Sequence, residues 1–176
     1  MNGLKRNIVL LITTFLIGII SLPRLALARL QDVDGWDKAR WGMAEDELIK
    51  AFEGQIAKLP ETSTSRNDRM YSDLGIDDLE IRGNKYQIRF YMDNRTNGLI
   101  QVSIAPKQGT ASVDLFKSLE RMLVEEYGAP GYKDNEKSKK MERYRREWSF
   151  RRTVIELVYL DAGIGAPFLV LVYHQS

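Results

Sequence analysis

Proton transfer and nucleophilic attack near neutral pH usually call on a histidine or a thiolate. This 176-residue chain has one histidine, His174, and no cysteine. His174 keeps phase with Phe168, Val170 and Val172, which reads as a strand-end residue rather than a general base. Without cysteine there are no disulfides, thiolate chemistry, Cys/His zinc sites or lipid-modified cysteine. Two carboxylate groups remain, Glu45-Asp46-Glu47 and Asp77-Asp78 with Glu80. Their positions fit a helix first turn and a strand entrance, and the second group lacks the glycine and ligand count of a calcium loop. Gly163-Ile164-Gly165 lacks the strand-to-helix setting of a phosphate loop. The expectation is a protein that is not an enzyme and needs no metal or cofactor. A carboxylate-based hydrolase ranks third among the function classes, since it would need two carboxylates ~5–10 Å apart in a deep pocket.

Binding chemistry is better represented. Tyr132 to Arg152 (YKDNEKSKKMERYRREWSFRR) carries nine lysines and arginines against four acids. Within it Tyr144, Arg146, Trp148 and Phe150 share one strand phase; Arg145, Glu147, Ser149 and Arg151 share the other. Arginines interleaved with aromatics suit an acidic partner protein, a phosphate-bearing lipid or a polyanionic glycan. The candidate contact residues are Arg143, Tyr144, Arg145, Arg146, Trp148, Arg151 and Arg152, with Trp36 and Trp41 as candidate anchors. The competing reading is a solvated hairpin: Trp148 and Phe150 face the core, the cations guard an edge strand, and Trp36 and Trp41 are core lids.

The segments that must position these residues follow from pattern. Lys5 and Arg6, the apolar run Ile8–Leu22, Pro23 and Ala26-Leu27-Ala28 read as a signal peptide, residues 1–28, cleaved after Ala28. Fifteen residues, apolar except for Thr13, Thr14, Gly18 and Ser21, span only ~22 Å as a helix, short of a ~30 Å hydrocarbon core, so an uncleaved inner-membrane anchor at 8–22 is the lesser alternative. The chain has 26 basic and 24 acidic residues, and Lys5, Arg6 and Arg24 lie in the leader with no acid beside them. The remainder, 29–176, therefore has 23 against 24, which argues against a nucleic-acid binder. Exported, cysteine-free and without a second apolar run, it is expected to be periplasmic and soluble, peripheral to a membrane at most.

Helical spacing of Leu48, Ile49, Phe52 and Ile56 predicts a helix over 44–56, and Ser112 with Gly128 brackets a second over 113–127. Residues 59–73, with Pro60 and a Ser/Thr/Asn/Asp run, read as a loop, and 132–142 as a charged mobile segment. Alternation predicts strands over 79–82, 85–93 and 100–104, then 144–151, 153–160 and 168–174, with turns at Gly83-Asn84 and Asn97-Gly98. The last two strands are apolar on both faces, as if covered on each side. The expected fold is α+β: a single antiparallel sheet of about six strands with two helices packed on one face, in the order α-βββ-α-βββ. Residues 29–176 form one domain whose halves, 39–107 and 111–176, share the pattern of a degenerate duplication.

Arg40-Trp41-Gly42-Met43 opening a short helix, and Leu74-Gly75-Ile76 leading to Leu79-x-Ile81-x-Gly83-x-x-Tyr86-x-Ile88-x-Phe90 and Leu99-x-x-Val102, carry a family resemblance. The chain resembles small exported bacterial proteins whose helix-plus-meander modules are similar to the β-lactamase inhibitory protein and to the small lipoprotein of the outer-membrane assembly complex. The likeness covers residues 40–107 best. Departures are the missing lipobox cysteine, Ala44 after Gly-Met, and no Gly-Met turn in the second half. The resemblance implies a protein-binding or assembly role without catalysis. The expected function is thus a non-catalytic periplasmic binding or accessory module with an envelope protein partner. The alternative is an envelope binder of anionic lipid or glycan through 132–152.

Overall fold

The computed structural model describes residues 32–64, 69–107 and 109–176. The leader reading falls outside them. A lead-in hairpin, β1 (Gly35–Trp36) and β2 (Ala39–Arg40), precedes α1 (Glu45–Ala51) and a meander of β3 (Ala57–Thr64), β4 (Met70–Ile81), β5 (Asn84–Asp93) and β6 (Leu99–Pro106). Then α2 (Val113–Tyr127) leads a second meander, β7 (Tyr132–Lys137), β8 (Glu142–Ser149), β9 (Thr153–Asp161) and β10 (Phe168–Gln175).

The expected six strands are corrected to eight, joined in one antiparallel sheet of order β3-β4-β5-β6-β10-β9-β8-β7, beside the two-stranded lead-in sheet. The chain is therefore mostly β, and each helix introduces four strands rather than three. The strands missing from the expectation are the outermost ones, β3 and β7. An edge strand pairs on one side only and here buries little, so it lacks the apolar alternation that marks an inner strand. The β4–β5 connection is Arg82-Gly83, one residue earlier than expected, because Ile81 pairs with Asn84. Both turn residues sit at positive φ, 49° and 79°, as a two-residue hairpin requires.

Both helices pack on one face of the sheet. Phe52, at the end of α1, stacks on Trp36 at 6.0 Å and meets Phe90 edge-on at 5.5 Å. In α2, Phe116 packs on Tyr144 and Tyr159. Beneath them lie the inward residues of the central strands, among them Ile88, Phe90, Val102, Ile104, Leu171, Tyr173, Ile155 and Leu157, all buried. Fully burying one such side chain is worth roughly 1.5–3 kcal/mol, so this layer supplies most of the stabilisation. Helix α1 is shorter than its spacing predicts: Glu53 and Gly54 take positive φ of 50° and 82° and turn the chain toward β3. Its first turn is acidic as expected, with Glu47 accepting the Ala44 N–H at 2.9 Å. Helix α2 matches its predicted ends; Ser112 accepts the Leu115 N–H and Gly128 follows at φ 80°.

The Trp-Gly-Met turn has a structural origin. Gly42 holds φ 84°, and its N–H donates to the Leu99 carbonyl while the Leu99 N–H donates to Met43. Gly98 lies against it so closely that a Cβ there would sit 3.0 Å from the Gly42 Cα. Both positions need glycine. Trp41 donates to the Thr153 hydroxyl at 2.7 Å, and that hydroxyl donates to the Val33 carbonyl, strapping the lead-in to the start of β9.

Candidate functional site

Because side chains alternate across a strand, the residues that do not face the helices form a second surface. Register places Val154, Glu156, Val158 and Leu160 of β9 on it, beside Phe168, Val170, Val172 and His174 of β10. Arg143, Arg145 and Glu147 of β8 lie on one flank, and Ser103 and Gln101 of β6 with Arg89 and Tyr91 of β5 on the other. The two central strands are apolar on both faces, as the sequence indicates, but the expected second cover is absent among the described residues. Val170 is buried, but Val154, Val158, Leu160 and Val172 are only partly buried and lie outside the core cluster, and Phe168 is 52% exposed. An uncovered apolar ribbon thus runs along β9 and β10.

The arginines bordering the ribbon are held in place. Arg145 is shared by Glu147 at 3.1 Å and Glu156 at 2.9 Å, and lies over the Tyr132 ring at 5.6 Å. Arg143 is shared by Asp134 at 2.7 Å and Glu136 at 3.1 Å. Exposed pairs of this kind contribute only ~0–1 kcal/mol each, so their effect is to fix two guanidinium planes rather than to stabilise the fold. Both Nε atoms are buried without a hydrogen-bond partner. At one end of the ribbon, Ile100, Gln101, Glu156, Val172 and His174 line a shallow depression of about 560 Å³. His174 Nε2 stands 3.8 Å from Glu156 there.

The nine residues singled out from the sequence do not converge. Only Arg143 and Arg145 border the ribbon. Arg146 points the other way, buried beneath α2, with its Nε on Glu120 at 2.6 Å and its guanidinium over Phe116 at 5.2 Å. Tyr144 stacks in the same layer and donates to Glu142 at 2.5 Å. Trp148 is buried, donating to the Gly128 carbonyl, and Trp41 is buried at Thr153. Trp36 packs on Phe52. Arg151 and Arg152 sit in the β8–β9 turn, Arg152 paired with Asp34 at 2.8 Å. The excess positive charge of 132–152 is largely met by acids inside and outside the hairpin, including Glu120, Glu156 and Asp34.

Glu45-Asp46-Glu47 occupies the helix first turn as its spacing suggests, whereas Asp77-Asp78 lies within β4 at a bulge and not at a strand entrance. Asp78, at φ 62° in the bulge of β4, pairs with Lys107 and Lys85, and the Lys107 contact holds its carboxyl below the usual range. Glu45 accepts from the Tyr71 hydroxyl at 2.9 Å; burial, then that bond and the nearby carboxylates, push the phenol up to about 12. Asp93 accepts the N–H groups of Arg95 and Thr96, which lowers it and folds the 94–98 turn around Asn94-Arg95-Thr96.

The ribbon itself was half legible: the double-sided apolar pattern of β9 and β10 marked it, whereas its exposure depends on where the helices sit. Among the described residues no helix is long and apolar enough to cross a membrane. No family model, curated protein or solved structure matches the chain.

Proposed function

We propose that the chain is a non-catalytic binding module of the bacterial cell envelope that holds a protein partner against the uncovered face of its sheet. The observation that carries this reading is the β9–β10 ribbon: Val154, Val158, Leu160 and Val172, partly exposed, and Phe168, exposed, on two inner strands of the sheet. An apolar surface bordered by fixed arginines and tyrosines has the make-up of an interface centre with a polar rim. The resemblance of the Trp-Gly-Met helix and meander to inhibitory and assembly proteins supports the same reading, as does the signal-like N terminus for an envelope location. Trp36 and Trp41, the candidate anchors, and Trp148, a candidate contact residue, are committed to packing and act as supports of the surface.

The test is affinity capture from the native envelope with wild type and Val158→Asp and Val172→Asp variants. Both positions point away from the core, so the variants keep the wild-type melting temperature. A partner that is retained by wild type at high salt and lost by both variants supports the reading. A partner retained equally by all three sinks it.

A further inference from the structure

The connection between β9 and β10, residues 162–167, is the most exposed apolar element among the described residues. Ile164 is 84% exposed, and Phe168 at the base of the same loop is 52% exposed; only two other large apolar side chains, Ile49 and Tyr132, are exposed among the described residues. Gly163 and Gly165, at φ 68° and 75°, hold Ile164 at the loop's tip, and Asp161 accepts the Gly163 N–H at 2.8 Å. Because Glu142 pairs with Asp161, the β7–β8 turn emerges beside this loop. The two turns touch: a Cβ on Gly163 would lie 3.4 Å from the Lys140 carbonyl. That neighbouring turn carries Lys139 and Lys140, both exposed and in no ion pair among the described residues, while Glu142 is taken up by Lys137 at 2.9 Å and by Tyr144. The cations of 132–152 that stay unpaired on this side among the described residues are thus gathered next to Ile164, the most exposed large aliphatic side chain described.

We propose that these adjoining turns form a membrane-contact tip, with Ile164 and Phe168 entering the headgroup–acyl boundary of an anionic lipid surface and Lys139 and Lys140 resting among its phosphates. An apolar point beside free lysines is the arrangement that interfacial lipid contact requires, since insertion and charge attraction act at different depths. A protein pocket would take the isoleucine without needing the lysines. The tip meets the uncovered sheet face at Phe168, but Ile164, Lys139 and Lys140 lie outside that face, so variants at Ile164 and Lys140 test the tip independently of the protein-partner reading.

The test uses the protein recovered from the soluble envelope fraction and sedimentation with vesicles of neutral phosphatidylcholine, alone or with about one third phosphatidylglycerol. Wild type is expected to sediment with the anionic vesicles at low salt, to be released in large part at physiological salt, and to leave the neutral vesicles unbound. Ile164→Asp should lower binding by more than about tenfold and Lys140→Glu by about fivefold, with melting temperatures unchanged. Lys38→Glu, the same charge change in the lead-in turn, should bind as wild type. Equal binding to both vesicle types, wild-type binding by Ile164→Asp, or equal loss from Lys38→Glu and Lys140→Glu would each overturn the proposal.

Discussion

Arg146 shows how residue type and residue role part company. In sequence it is one of a run of arginines; in the fold its side chain is 8% exposed and completes its bonding with Glu120, Asn135 and two backbone carbonyls. Removing one partner of a buried pair leaves a stranded charge, which costs more than the pair contributes. Glu120→Ala is therefore expected to destabilise the protein by about 3 kcal/mol, read as a lower urea midpoint, whereas Arg145→Gln on the opposite face should shift it by less than about 1 kcal/mol. Thr153→Val keeps shape but orphans the Trp41 N–H and frees the lead-in, for a loss of about 2 kcal/mol. Tyr71 contributes to the alkaline limit beside Tyr127 and Tyr173, whose phenols burial also pushes up. Its folded phenol is raised to about 12 from 10.0, so the stability it contributes is complete below pH 10 and disappears as pH climbs toward 12. Spectrophotometric titration of wild type and Glu45→Gln should show one tyrosine ionising earlier in the variant.

At the scale of elements, what the sequence revealed tracks burial. Helix α2 and strands β5, β9 and β10 follow from periodicity because each buries a face. Strands β3 (AKLPETST) and β7 (YKDNEK) are edges, and nothing in their polar sequences distinguishes them from loops. That polarity has its own consequence. Two copies pairing through β7 about a two-fold axis must set same-face residues opposite one another. One register then places Lys133 against Lys137 and Asp134 against Glu136; the next centres Asp134 on itself. Like charges meet either way, which keeps the edge unpaired. Exchanging signs, Asp134→Lys with Lys137→Glu, makes the facing pairs of the first register opposite. Sedimentation velocity should then show a concentration-dependent dimer; a persisting monomer would contradict the edge argument.

Across the whole molecule, two helix-led four-strand units share one strand pairing, β6 with β10, supplemented by the Arg82–Glu125 ion pair at 2.6 Å and the lead-in strap from Trp41 to Thr153. Strands β5 and β9 begin 69 residues apart, as do β6 and β10. Stacking both helices on the same side leaves one face of a wide sheet without a second layer among the described residues, an arrangement no local pattern encodes. Sequence could therefore mark residues as binding-competent without separating Arg143 and Arg145, which border that face, from Arg146 and Trp148, which are sealed beneath α2. It also missed Ile164, since exposure of a lone aliphatic in a glycine loop has no periodic signature.

Asp32 and Ser176, the two ends of the described residues, converge on a single residue. The Arg152 N–H donates to the Asp32 carboxylate while the Arg152 carbonyl accepts the Ser176 N–H. A short glycine linker from Ser176 to Asp32, with new ends opened within 107–110, would write the second unit before the first and leave every strand pairing in place. Such a permuted chain is expected to fold to the same far-ultraviolet spectrum and melt within a few degrees of the parent, so the order in which the two units leave the ribosome is free to be exchanged.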